Sequence, residues 1–98
     1  MNIGTELYGK NELFERPILI LKVYNKETLL IVPLTSKDKS GKYYAPVPLG
    51  VVISQAVLSQ VRTVSTKRLS RKVGTISEEN FQIVSNKFIN TLQIETPP

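Results

Sequence analysis

Arg16 and the run Thr35-Ser36-Lys37 are the residues best suited, by type and position, to carry chemistry in this chain. Arg16 leads into the apolar run Pro17 to Tyr24, and Thr35 follows a second apolar run, Thr28 to Leu34. If those runs pair as an antiparallel hairpin, the two ends are neighbours. A guanidinium, a hydroxyl and an ammonium gathered there could hold a phosphodiester, with Arg16 offering a planar fork to two phosphate oxygens. The same donors could stabilise the added negative charge of a pentacovalent transition state. Residue types alone favour a structural explanation, in which Arg16 caps the strand end through Glu15 or Glu6 and Thr35 hydrogen-bonds its own loop.

Composition narrows the alternatives. The 98 residues contain no cysteine and no histidine, which removes the usual zinc ligands, thiol nucleophiles and imidazole acid–base groups. Paired carboxylates, a GxGxxG fingerprint and a Walker loop are also absent, since Gly41 and Gly50 stand alone. No metal or other cofactor is expected. The formal charge of +5 suits a polyanion, and the cations cluster as Lys37, Lys39, Lys42 and as Arg62, Lys67, Arg68, Arg71, Lys72. Either cluster could follow phosphates or simply form a solvated loop. Tyr43, Tyr44 and Tyr8 could stack unpaired bases, or pack an edge strand instead. Gln60 and Arg62, on the opposite parity from Val61, could face the same groove or water.

The elements that must position these groups read as one small domain spanning 1–98. No leader and no apolar run of about 20 residues is evident, so a cytoplasmic protein without a membrane span is expected. Residues 1–15 are polar and read as a loop. Pro17 to Tyr24 and Thr28 to Leu34 read as a hairpin turned at Asn25-Lys26-Glu27, with Pro33 at a frayed end. Thr35 to Lys42 is a basic loop. Tyr43 to Leu49 is an extended edge, confined there by Pro46 and Pro48, and ended by Gly50. Residues 55–64 read as a strand, although apolar positions 57, 58, 61 and 64 also fit a helix. Ser65 to Leu69 is a Ser-capped helical turn and Arg71 to Thr75 a brief strand. Ser77 caps a closing helix, Glu78 and Glu79 suit its first turn, and Ile76 staples onto Phe81. Phe81, Val84, Phe88, Ile89 and Leu92 would share its apolar face. The fold class is mainly β, a barrel with one main helix.

Read in order, Asn2-Ile3-Gly4-Thr5-Glu6, Glu15-Arg16-Pro17-Ile18-Leu19-Ile20-Leu21, Val32-Pro33-Leu34-Thr35-Ser36-Lys37, Leu58-Ser59-Gln60-Val61-Arg62-Thr63 and Lys67-Arg68-Leu69, followed by Gly74, Ile76 and Ser77, form a string that resembles the MazF/PemK toxins of bacterial toxin–antitoxin systems. The resemblance implies an SH3-like barrel of the MazF/PemK/CcdB type, a homodimer, and a metal-independent endoribonuclease specific for single-stranded RNA and neutralised by a cognate antitoxin. It assigns Arg16 and Thr35 as the catalytic pair and Glu6 as an accessory group or base. It also implies chemistry in which the substrate's own 2′-hydroxyl attacks and a cyclic phosphate remains. Ser36, Lys37, Lys39, Tyr43, Gln60 and Arg62 are the expected RNA contacts. Family members usually begin with a further strand ahead of the Asn2-Ile3-Gly4 segment, and this chain is expected to lack it, leaving an edge exposed. Two other readings are a CcdB-like toxin acting on DNA gyrase, disfavoured because Gln93 to Pro98 lacks the Trp expected there, and a nonenzymatic SH3-like binding module.

Overall fold

Two strands with apolar side chains on both faces organise the sheet. The computed structural model describes residues 6–8, 16–69 and 72–93. Strands β2 (Ile18–Val23) and β3 (Thr28–Thr35) form the expected antiparallel hairpin. Asn25 makes its turn, its Oδ1 accepting from the backbone N–H of Glu27 at 2.8 Å and of Thr28 at 2.9 Å. Alternate residues point to opposite faces. Leu19, Val32 and Leu34 enter one apolar cluster, while Ile18, Ile20, Leu29 and Ile31 enter a second. That double burial is why both strands read as nearly continuous apolar runs.

The remaining described strands are β1 (Glu6–Tyr8), β4 (Tyr44–Leu49), β5 (Val52–Val57), β6 (Arg62–Ser65) and β7 (Lys72–Thr75). All pair antiparallel in the order β4-β5-β3-β2-β1-β7, with β6 joined to β3, and they curl into a half-barrel. Helix α1 (Glu78–Thr91) covers the first cluster with Val84, Phe81 and Phe88 and lies against β4. Val64, Val23 and Leu69 complete the second cluster.

Several local expectations are met in detail. Ser77 Oγ accepts from Asn80 N–H at 3.1 Å, and Ile76 and Phe81 meet in the first cluster as a staple would require. Ser65 Oγ likewise accepts from Lys67 N–H at 3.2 Å to start the turn Thr66–Arg68. On edge strand β4, Ala45 and Val47 are buried while Pro46 and Pro48 are exposed. Gly50 takes φ of +64° at the first central position of the two-residue β4–β5 turn, and Val51 beside it is not at positive φ, the pattern of a type II′ hairpin.

Four readings are corrected. Residues 6–8 are strand, pairing with both β2 and β7, where the sequence reads loop; three residues carry too little alternation to be recognised. Pro33 is not a frayed end. It is buried within β3, opposite Ile18, where the strand leaves β6 and takes up β5, so its missing N–H falls at the change of partner. Residues 55–64 are not one strand: β5 ends at Val57, a 3₁₀ turn occupies Leu58–Gln60, and β6 begins at Arg62. Ala56 pairs with Leu34 and Arg62 with Ile31, so residues 57–61 span a gap that 32 and 33 cover on β3, and the surplus chain folds into the turn. Finally, Ile89 and Leu92 are 55% and 62% exposed, because Ile89 lies about 100° around the helix from Phe88 and Leu92 caps the helix beyond the packed stripe.

Burial predicts unequal costs for one substitution. Ile20→Ala, at 1% exposure, is expected to destabilise by about 2–5 kcal/mol. Ile53→Ala, at 60% exposure, should stay within about 0.5 kcal/mol. Urea denaturation of the two variants checks the difference.

Candidate active site

The hairpin register decides where Arg16 goes. Ile18 pairs with Pro33, and the backbone N–H of Leu34 donates to Pro17 C=O at 2.9 Å, which carries the pairing one step past the strand end. Arg16 is thereby held at the Thr35 end of β3. On the other side of β3, Thr35 pairs with Gln55, and Gln55 with Pro46, so one row crosses three strands at this level.

Arg16 is exposed, and its Nη2 donates to Gln60 Oε1 at 3.2 Å. A guanidinium has five N–H donors, so this bond orients the fork while leaving donors to face an anion. Thr35 is 5% exposed, and its Oγ1 accepts from Lys37 N–H at 3.2 Å. That bond is the local loop contact anticipated from residue type, and it uses an oxygen lone pair, leaving the hydroxyl proton to be donated. Structural and chemical uses of Thr35 are therefore compatible.

The 3₁₀ turn Leu58–Gln60 connects the parts. Its last residue holds Arg16, and its first, Leu58, donates its N–H to Tyr43 C=O at 2.8 Å. Loop 36–43 is thus anchored at one end by Thr35 and at the other by the same turn. Ser36, Lys37, Lys39 and Tyr43 are exposed along it, and Lys42 Nζ lies 5.1 Å from the centroid of the Tyr43 ring.

Not every expected residue gathers here. Arg62 and Gln60 are not on one strand, so their shared parity carries no meaning. Arg62 pairs with Ile31, four residues back from Thr35 or roughly 13 Å along β3. The backbone of Glu6 pairs with Thr75, and the β1–β2 register sets it level with Ile20, roughly 13 Å along β2 from Arg16. The side chains of Glu6 and Tyr8, and all of Glu15, lie outside the described residues. Gln55, opposite Thr35, was missed by the sequence reading; register alone brings it there. Among the described residues, no group of three or more Asp or Glu carboxylates forms a metal-ligand set, and no helix is long and apolar enough to cross a membrane.

The model for the family described as PemK-like, MazF-like toxin of type II toxin–antitoxin system matches residues 3–92. No curated protein matches the chain by sequence. Among solved structures, the fold is similar to an endoribonuclease from mycobacterial species, with TM-score 0.78 and 14% identity over 97% of this chain and 94% of that one. An endoribonuclease in complex with its cognate antitoxin, also from mycobacterial species, gives TM-score 0.78 and 13% identity over 99% and 100% of the two chains. The Mycobacterium tuberculosis toxin MazF-mt6 gives 0.75 and 15% over 93% and 99%.

Gln60→Ala should release the Arg16 side chain while changing stability by less than about 0.5 kcal/mol, because the bond is exposed. Side-chain NMR of the Arg16 guanidinium, expected to show a lower order parameter in the variant, checks this together with a thermal melt.

Proposed function

The chain belongs to the PemK-like, MazF-like toxins of type II toxin–antitoxin systems, and from that premise we propose that it is an endoribonuclease that cleaves single-stranded RNA without a metal ion. The observation that carries this reading is the convergence of Arg16, held by Gln60, on the Thr35 end of β3. Similarity to solved endoribonucleases supports it at the level of fold.

The scissile phosphate lies between Arg16 and Thr35. The substrate's 2′-oxygen attacks phosphorus, the 2′-O–P bond forms and the P–O5′ bond breaks. The 2′-hydroxyl gives up its proton to water as the departing 5′-oxygen gains one. Glu6, the accessory group or base that the family resemblance suggests, has its backbone level with Ile20, roughly 13 Å from Arg16, and is not placed to take that proton. The products are a 2′,3′-cyclic phosphate and a 5′-hydroxyl. Arg16 contributes a fixed positive fork to the non-bridging oxygens as their charge grows, and Thr35 assists proton transfer through its hydroxyl. Ser36, Lys37, Lys39, Tyr43, Gln60 and Arg62 bind the RNA strand on either side. The protein acts as a single domain over 1–98, works as a homodimer in the cytoplasm, and is neutralised by a cognate antitoxin whose acidity complements the +5 charge.

Incubation of the purified protein with unstructured RNA in the presence of a chelator should yield fragments with cyclic phosphate ends. Arg16→Ala and Thr35→Ala should each lower the rate by about 10²-fold or more. Arg16→Lys should recover little, because an ammonium lacks the planar fork. Equal cleavage by wild type and both alanine variants overturns the assignment, and binding without cleavage by the wild type favours a nonenzymatic module.

A further inference from the structure

A cavity of about 480 Å³ opens where the end of α1 meets the residues just before β4, lined by Lys42, Tyr43, Lys87, Asn90, Thr91 and Gln93. None of these carries a negative charge. Lys87 is half-buried on the helix, and its neighbours at three and four residues, Ile83, Val84, Asn90 and Thr91, include no acid. Among the described residues it forms no ion pair, and the side-chain amides of Asn90 and Gln93 form no hydrogen bond. Two ammoniums, two unengaged amides and an aromatic ring thus face one space of ligand size.

The C-terminal end of a helix ordinarily disfavours an anion by about 0.3–1 kcal/mol, through its exposed carbonyls. Here the carbonyls of Phe88, Ile89 and Asn90 are engaged. Thr91 Oγ1 donates to Phe88 C=O at 2.6 Å, Leu92 N–H reaches Ile89 and Asn90 C=O, and Gln93 N–H reaches Asn90 C=O at 3.3 Å. Among the described residues that line the cavity, the only formal charges are the two ammoniums.

We propose that this cavity is a second RNA subsite that takes one nucleotide of the bound strand, its phosphate between Lys42 and Lys87 and its base edge read by Asn90 and Gln93. The inference rests on the ribonuclease reading above. Loop 36–43 runs from Thr35 to Tyr43 and carries exposed Lys37, Lys39 and Lys42 from the candidate active site to the cavity. Tyr43 precedes Pro46 by three residues, roughly 10 Å, and β4 lies two strand spacings, roughly 10 Å, from β3. The separation of roughly 14 Å is at most about four nucleotides, the count at the ~3.4 Å stacked rise, and fewer for an extended strand. Amides that read an unpaired base and lysines that hold its phosphate are how single-stranded RNA is distinguished by position.

The test uses the full chain and 2′-O-methyl RNA, which cannot be cleaved through a 2′-hydroxyl. Affinity is measured by fluorescence anisotropy for a dinucleotide, too short to reach the cavity, and for an octanucleotide. Wild-type affinity should rise with length. Lys87→Glu should weaken octanucleotide binding by about tenfold and abolish that rise. Lys87→Ala should reduce the salt slope by about 0.7, the value for one phosphate contact on a single strand. Asn90→Ala, a milder change, should alter the preferred base at one position. A length-dependent rise that persists in every variant overturns the subsite, and if the wild type still cleaves RNA the ribonuclease reading survives. A wild type that neither binds nor cleaves RNA overturns both. A variant that keeps RNA affinity but changes the oligomeric mass in sedimentation, or loses binding only to an acidic antitoxin peptide, assigns the cavity to a protein partner and also overturns the proposal.

Discussion

The change of partner along β3 is the constraint on which the rest of the structure depends. The strand pairs with β6 through Thr28 to Ile31, passes Pro33, and pairs with β5 through Leu34 and Thr35. Pro33 donates no N–H, so the ladder on that side of β3 is interrupted there, and that is where the neighbour changes from β6 to β5. The chain between β5 and β6 must therefore turn at this level, and it does so at Leu58–Gln60. That turn is what puts an amide within reach of Arg16 and an N–H within reach of Tyr43. The polar groups at the strand ends are gathered by a packing problem solved beside them.

Much of this was legible because burial leaves a periodic trace. The β2–β3 hairpin, the edge character of β4 and the capped closing helix each follow from residues whose effect is local: Asn25, Pro46, Pro48 and Ser77. Arg16 and Thr35 were brought to one level by the expectation of a hairpin alone, and the observed register bears that adjacency out. Their chemical role came from the family string rather than from residue type.

What was not legible depends on partners distant in sequence. Gln60 lies 44 residues from Arg16, and nothing in either local pattern reports the bond between them. The break at Leu58 could not be separated from a strand because Val57, Leu58, Val61 and Val64 suit a helix by spacing, while the three valines suit a strand by their β-branched side chains. The β1 segment takes its strand conformation from pairing with β2 and β7, and its Leu7 enters the first core cluster. Ile89 and Leu92 share the chemistry of the buried helix residues but not their position against the sheet.

The outer edge of β4 has a consequence for assembly. In a two-residue hairpin the closing pair, Leu49 and Val52, is hydrogen-bonded, so alternate residues 44, 46 and 48 turn their backbone groups away from β5. Pro46 and Pro48 have no N–H to offer, and that of Tyr44 is already given to Gly41 C=O at 3.2 Å. The free rim of the sheet over these residues presents acceptors without donors. An incoming strand would find half of its ladder missing, so neither fibre growth nor strand exchange can start from this rim at ordinary cost, and recognition of β4 must proceed through its side chains.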